Sequence, residues 1–227
     1  MTQISWVLGS LLATLVIYFA FFTLYVRCRQ FPLLHPLIGS TLCIVGLLSW
    51  FGMSLSDYQK NTQLLSYLLG PATVALAVPL FKQLHLLKRF GWRVLLPIVL
   101  GGMLAPLLSW LSIYWLDLPI NLQMTMLVKS ITTPLAMDTS SLIGGIADLA
   151  AVLVISTGII IAILGPMISQ LLKQQNQMVN GIALGTVGHA IATARAVSYG
   201  EVCLAFSSLA LCLNGLVTSI VLPLLFG

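Results

Sequence analysis

From Met1 to Val26 the sequence carries no Asp, Glu, Lys or Arg, and apolar runs of similar length recur along the chain with only brief charged interruptions. A run of about 20 apolar residues is what a helix needs to cross the hydrocarbon core of a bilayer, and only helices and closed barrels satisfy their backbone there. Charged residues make up 7% of the 227 residues and hydrophobic ones 59%, whereas a soluble domain has about 25% charged residues. So few ions cannot cover a water-facing surface. The expected fold class is therefore an all-α integral membrane protein of about seven or eight transmembrane or re-entrant helical elements. Ten Lys and Arg stand against five Asp and Glu. This excess of +5 is scattered rather than gathered on one face, which argues against nucleic acid as a partner.

Charges divide the chain into spans. The expected segments are Ile4 to Val26, Leu33 to Leu55, Leu64 to Phe81, Val94 to Leu116, Asn121 to Gly145, Leu149 to Leu172, Met178 to Gly200 and Val202 to Phe226. The first basic residues, Arg27 and Arg29, follow the first run instead of preceding it, so it reads as an uncleaved span and not a secretory signal. Short cytoplasmic loops collect Lys and Arg. With Arg27, Arg29, Lys82, Lys88, Arg89 and Arg93 inside, the N-terminus lies outside, and the polar turn Ser56 to Asn61 is external. Cys28, Cys43, Cys203 and Cys212 show no metal-ligand spacing and read as small hydrophobes. Walker-type, His-Glu-x-x-His and Gly-x-Ser-x-Gly motifs are absent, so neither an enzyme nor a bound metal or cofactor is expected.

An internal repeat is suggested by Gly70 to Ala77 and Gly185 to Ala192, which align at an offset of 115 residues. On that reading residues 1–227 form one membrane domain with repeat halves 1–117 and 118–227, as in transporters built from repeats with discontinuous helices.

Three segments depart from an ordinary lipid-facing helix. In the first, Pro71 and Pro79 follow Gly70 and bracket Thr73; each proline removes a backbone donor and breaks or kinks a helix. In the second, Lys129 and Ser130 precede Thr132, Thr133 and Pro134, then Asp138. A lysine so deep in an apolar segment costs about 2.5–3.5 kcal/mol to insert and needs a counter-charge, a polar cavity or an anionic ligand. The start of a half-helix after Pro134 would favour an anion; a structural ion pair of Lys129 with Asp138 or Asp148 is the alternative. The third contains Gly185, Gly188, His189, Thr193 and Arg195. Its guanidinium suits a carboxylate, with Glu201 as competing structural partner, and His189 is a candidate proton carrier because imidazole titrates near neutrality. Asn214, inside the last apolar run, either packs between helices or offers an amide to a ligand.

The strings Leu69 to Leu80 and Lys129 to Met137, with Ile143 to Ile146, Phe206 to Ala210 and Asn214-Gly215, resemble the LrgB/CidB family of bacterial membrane proteins, related to the C-terminal part of the plastid glycolate/glycerate translocator. The family pattern Ser-His-Gly-Ile-Gly-Thr-Ala-Arg is matched by Gly188 to Arg195, with alanines at 190 and 192 in place of its two glycines. The resemblance implies a protein of the bacterial inner membrane and two roles. One is carriage of small monocarboxylates such as glycolate, glycerate or pyruvate. The other is antiholin-like control of murein hydrolase export and autolysis, with a holin-like LrgA/CidA partner; self-association is left open by both. The residues favour the carrier, with Lys129 and Arg195 as carboxylate ligands, Ser130, Thr132, Thr133, Thr73 and Thr193 as hydroxyl contacts, and Asn214 as an amide contact.

Overall fold

The computed structural model describes residues 2–28 and 34–227. Arg29, assigned above to the first basic loop, and Leu33, the start of the second span, lie outside them. Among the described residues all regular structure is helical, and the chain separates into two compact units, Met1–Ala72 and Thr73–Gly227. The division falls well before the 117/118 boundary drawn from the repeat.

In the first unit α1 (Thr2–Arg27) packs on α2 (Pro36–Phe51), where the Phe21 ring fills the space a side chain at Gly39 would need. Gly52 ends α2 in the left-handed conformation, φ 63, that glycine adopts without strain. The chain then bends by 114° into α3 (Leu55–Asn61). The segment expected as a polar turn is thus a short helix, because Ser54 caps it by accepting from the Asp57 N–H. Asp57 in its first turn and Lys60 in its last also oppose the helix dipole. A 2.6 Å hydrogen bond joins Thr14 and Tyr58 and holds α3 to α1. After α4 (Gln63–Tyr67), α5 (Leu69–Ala75) leads into the second unit.

The second unit comprises α6 (Ala77–Phe90), α7 (Trp92–Tyr114), α8 (Ile120–Leu127), α9 (Thr133–Leu142), α10 (Ala147–Leu171), α11 (Gln177–Ala196), a 3-10 turn Val197–Tyr199 and α12 (Glu201–Phe226). Pro71 and Pro79 both stand in the first turn of a helix, where a missing N–H is tolerated. The interruptions they impose fall just before, at Leu68 and Leu76. Among the described residues five stretches are long and apolar enough to cross a membrane, Ser5–Arg27, Gln63–Phe90, Trp92–Tyr114, Ala147–Leu171 and Glu201–Phe226, or six if the bent α2–α3 pair is one broken span. The chain is a multi-pass membrane protein.

The two remaining segments turn back on themselves. Thr125 on α8 accepts a 2.8 Å hydrogen bond from the Ile146 N–H, whereas a straight helix over that interval would part the two by about 30 Å. The Lys129 segment therefore enters as α8, reverses at residues 128–132 and returns as α9. In α11 the reversal is at His189, whose φ of 41 and ψ of −137 break the helix. Before it, Gly181 abuts the Cys203 carbonyl and Gly185 the Ser207 carbonyl, so the outgoing leg runs parallel to α12. Beyond it, Thr193 comes back to Ser207. Both segments are re-entrant hairpins rather than spans, and each lacks the length of uninterrupted helix that a crossing requires.

Two apolar clusters place the hairpins at opposite ends. Val94, Ile98, Ile182, Phe206 and Leu209 pack together where α7, α11 and α12 begin, with Phe90 stacked edge-on against Phe206. Met124, Val128, Ile131, Ala136, Ile143, Ala150 and Leu222 pack where the α8–α9 hairpin meets the start of α10 and the end of α12, and Trp110 joins them from α7. Lys88, Arg89 and Arg93, and by way of α10 also Lys173, belong to the first end; Asp117 and Asp148 belong to the second. Hairpin plus long helix, α8–α10 and then α11–α12, is thus repeated with inverted direction. The 115-residue offset, by contrast, pairs the unbroken α1 with a hairpin.

Candidate functional site

The hairpins approach from opposite ends and meet beside the middle of α12. Asn214, 2% exposed, donates one 2.9 Å hydrogen bond to the Ser130 carbonyl in the first tip and another of 2.8 Å to the Thr186 carbonyl just before the second. Carbonyls beside a helix interruption in a bilayer have no water to turn to, so a side-chain donor must serve them. Its oxygen faces Gly102 of α7, where a Cβ would overlap it, and accepts from Thr218 at 3.4 Å. Gly101 lets α7 approach the Thr186 methyl group in the same way, its Cβ position lying 3.3 Å away. A third interruption reaches α12 from another side, since the Cys212 thiol points at the Leu76 carbonyl at 3.4 Å.

Around this junction the polar groups are incompletely satisfied. The hydroxyls of Ser130, Thr132 and Thr186 are buried and have no hydrogen-bond partner. Buried polar atoms without partners are uncommon and call for an explanation. Lys129 is half-buried beside them, and among the described residues neither Asp138 nor Asp148 pairs with it. Helix α9 starts at Thr133 with no side chain capping it. Its first N–H groups and the positive end of its dipole thus face the same tip. A cation, free hydroxyl groups and an uncapped helix start are the groups that a small anion would need.

The other predicted residues divide between this junction and its surroundings. Thr133 is half-buried in the first turn of α9, and Pro134 follows it. Thr73 lines a cavity of about 230 Å³ together with Leu135 of α9, Cys212, Leu216 and Ser219. Thr193 is committed to Ser207 by a 2.8 Å hydrogen bond between hydroxyls. His189 donates from Nε2 to the Val154 carbonyl at 2.8 Å, a bond that pins the second tip to α10 and assigns the tautomer. Arg195 is on the returning leg of its hairpin, half-buried, with Nε lacking an acceptor. Among the described residues it forms no ion pair with Glu201, which is exposed. Among the described residues no hydrogen bond connects Arg195 to the junction. Gly185 and Gly188 serve close packing, against the Ser207 carbonyl and the Ile161 side chain, while the reversal itself falls on His189.

Sequence reasoning missed Gly102, Thr218 and Ser207, and it did not assign Thr186 to the site. The adjacent glycines 101 and 102 in an otherwise bulky span were the one available signal, since paired small residues mark close helix approach.

The LrgB-like family model matches residues 14–227. The antiholin-like protein LrgB of Bacillus subtilis (strain 168) is 33% identical over 200 residues, covering 88% of this chain and 87% of its own. From the same organism, the uncharacterized protein YxaC is 34% identical over 217 residues, 94% of this chain and 93% of its own. The uncharacterized protein YwbG is 32% identical over 220 residues, 96% of each. No solved structure matches the chain.

Proposed function

The chain belongs to the LrgB-like family, and on that premise we propose that it is a secondary carrier of small monocarboxylates such as glycolate, glycerate or pyruvate across the bacterial inner membrane. The observation that supports this reading best is the pair of hairpin tips brought together from opposite ends, with unpartnered hydroxyls on Ser130, Thr132 and Thr186 and with Lys129 lacking an acidic partner. A pore or scaffold has no use for buried polar groups left without partners. A carboxylate would take hydrogen bonds from the hydroxyls and from the start of α9 and would neutralise Lys129.

Hairpins that open toward opposite ends provide the two accesses an alternating carrier needs. Arg195 is the second cation of the site, arriving when its hairpin moves, and His189 is the proton carrier, with Nδ1 free to accept while Nε2 stays on Val154. The end bearing Lys88, Arg89, Arg93 and Lys173 is cytoplasmic by the positive-inside rule, and the N-terminus is external.

The test is uptake of labelled glycolate, glycerate and pyruvate into liposomes holding the purified chain. Parental uptake that Lys129→Met and Arg195→Met each abolish, in proteins that stay monodisperse, is the expected result. Absence of uptake for all three acids, at either pH orientation, overturns the reading.

Two of the relatives are named antiholin-like proteins, which favours a second reading, an antiholin-like role; the family resemblance adds control of autolysis with a holin-like LrgA/CidA partner. It predicts that the partner co-purifies with this chain and that lysis timing, not acid uptake, responds to its deletion.

A further inference from the structure

Asn214 is chemically overcommitted for a ligand-binding residue. A carboxamide has two N–H donors, and here one is given to each hairpin, at 2.9 Å to Ser130 and 2.8 Å to Thr186. The orientation of the amide is not free. Turned over, its oxygen would face two carbonyl oxygens, and its NH2 would take the place beside Gly102 and the Thr218 hydroxyl that the oxygen now occupies. Among the described residues no other side chain of α12 hydrogen-bonds to both hairpins, and the residue stands midway along that helix.

We propose that Asn214 is a double clasp, a positioning residue that holds both hairpin tips closed at once, seated by Gly102 and Thr218, and that it does not itself bind the transported anion. When one tip withdraws, one donor of the amide and one carbonyl of the tip lose their partners in a dry interior, and this opposes opening. Each tip is held by its own hydrogen bond, so loss of the clasp raises the opening of each by about tenfold or more. The state open to both ends rises by the product of the two. An intact clasp therefore keeps the site from being open to both ends together. Use of the clasp in transport rests on the carrier reading above; its existence does not.

The experiment takes the full-length chain with its cysteines replaced by serine and one reporter at a time, Thr132→Cys in the first tip or Thr186→Cys in the second. Neither native hydroxyl has a partner, so the reporters remove no bond. Alkylation by a small thiol reagent is followed in proteoliposomes without substrate. Asn214→Leu, similar in size and without donors, should accelerate both reporters about tenfold or more. Gly102→Ala, which crowds the oxygen while leaving the donors in place, should accelerate both to a smaller extent and supplies the test should Asn214→Leu fail to fold. Unchanged rates in the variant that folds, or acceleration of one reporter alone, overturn the clasp. Faster labelling of both, where the chain of native sequence takes up no acid, supports the clasp and counts against the carrier reading.

Discussion

At Gly185 the second hairpin packs directly on the backbone of α12, and replacing this glycine with alanine has a consequence that can be worked out. A Cβ there overlaps the Ser207 carbonyl and comes within 2.9 Å of the Ala210 methyl group. Backbone and Cβ atoms cannot rotate aside, so the outgoing leg of α11 must move away from α12. Overpacking of this kind costs about 1–3 kcal/mol, and alanine returns at most about 1 kcal/mol through its better helix propensity. Displacement of the hairpin also stretches the 2.8 Å Thr193–Ser207 bond, worth about 1 kcal/mol. Net destabilisation of about 1–3 kcal/mol is expected. Gly46 on α2 is the control, because a Cβ there meets nothing within 4 Å; Gly46→Ala should be neutral or stabilising by up to about 1 kcal/mol. At roughly 2–4 °C per kcal/mol for a chain of this size, the difference of about 1–4 kcal/mol should make Gly185→Ala unfold roughly 2–16 °C below Gly46→Ala. Fluorescence-detected size exclusion after heating in detergent would read the difference. Equal midpoints for the two variants would refute the parallel, closely packed course of α11 along α12.

Sidedness follows from the two hairpins: an impermeant thiol label should reach Asp117→Cys and Asp148→Cys from one face of the membrane and Lys173→Cys from the other, whereas a full crossing by α8–α9 would put Asp117 and Asp148 on opposite faces. Replacing His189 by Gln keeps a donor for Val154, so folding should survive with a stability loss of about 1 kcal/mol; acid uptake that retains the parental pH profile in this variant would remove His189 from proton coupling. Neutralising Asp138 together with Lys129, as Lys129→Met/Asp138→Asn, should leave substrate-induced thermal stabilisation absent, since the two residues form no ion pair; recovery in the double variant would mean that they do pair in the membrane.

Hydropathy and charge were enough to read the helical membrane class and the unbroken spans, because a lipid-facing helix has to be apolar along its whole length. The segments around Lys129 and His189 also stood out, through polar residues that a bilayer penalises. What could not be read was that both turn back. Asn121 to Gly145 and Met178 to Gly200 are as long as spans, and reversal depends on bonds between residues far apart in sequence, such as Thr125 to Ile146 and Thr193 to Ser207. For the same reason Thr193 reads as a ligand until its hydroxyl is seen on Ser207. Asn214 was legible as an anomaly, but its double attachment required both tips to be in place. The turn expected at Ser56 to Asn61 became a helix because Ser54, just outside that stretch, caps it.

The order in which the ribosome delivers these segments gives the central position of α12 a further meaning. Both hairpins and the broken α5–α6 helix leave the translocation machinery before the helix that supplies their hydrogen-bond donors exists. Until residues 212 and 214 arrive, the carbonyls of Leu76, Ser130 and Thr186 lack the partners they have in the finished protein. Such intermediates have to hold water or neighbouring chain against these groups, so the interior of the second unit forms after synthesis of α12 and not progressively with each insertion. Loss of the donor at Cys212 or Asn214 consequently acts on segments made well before it.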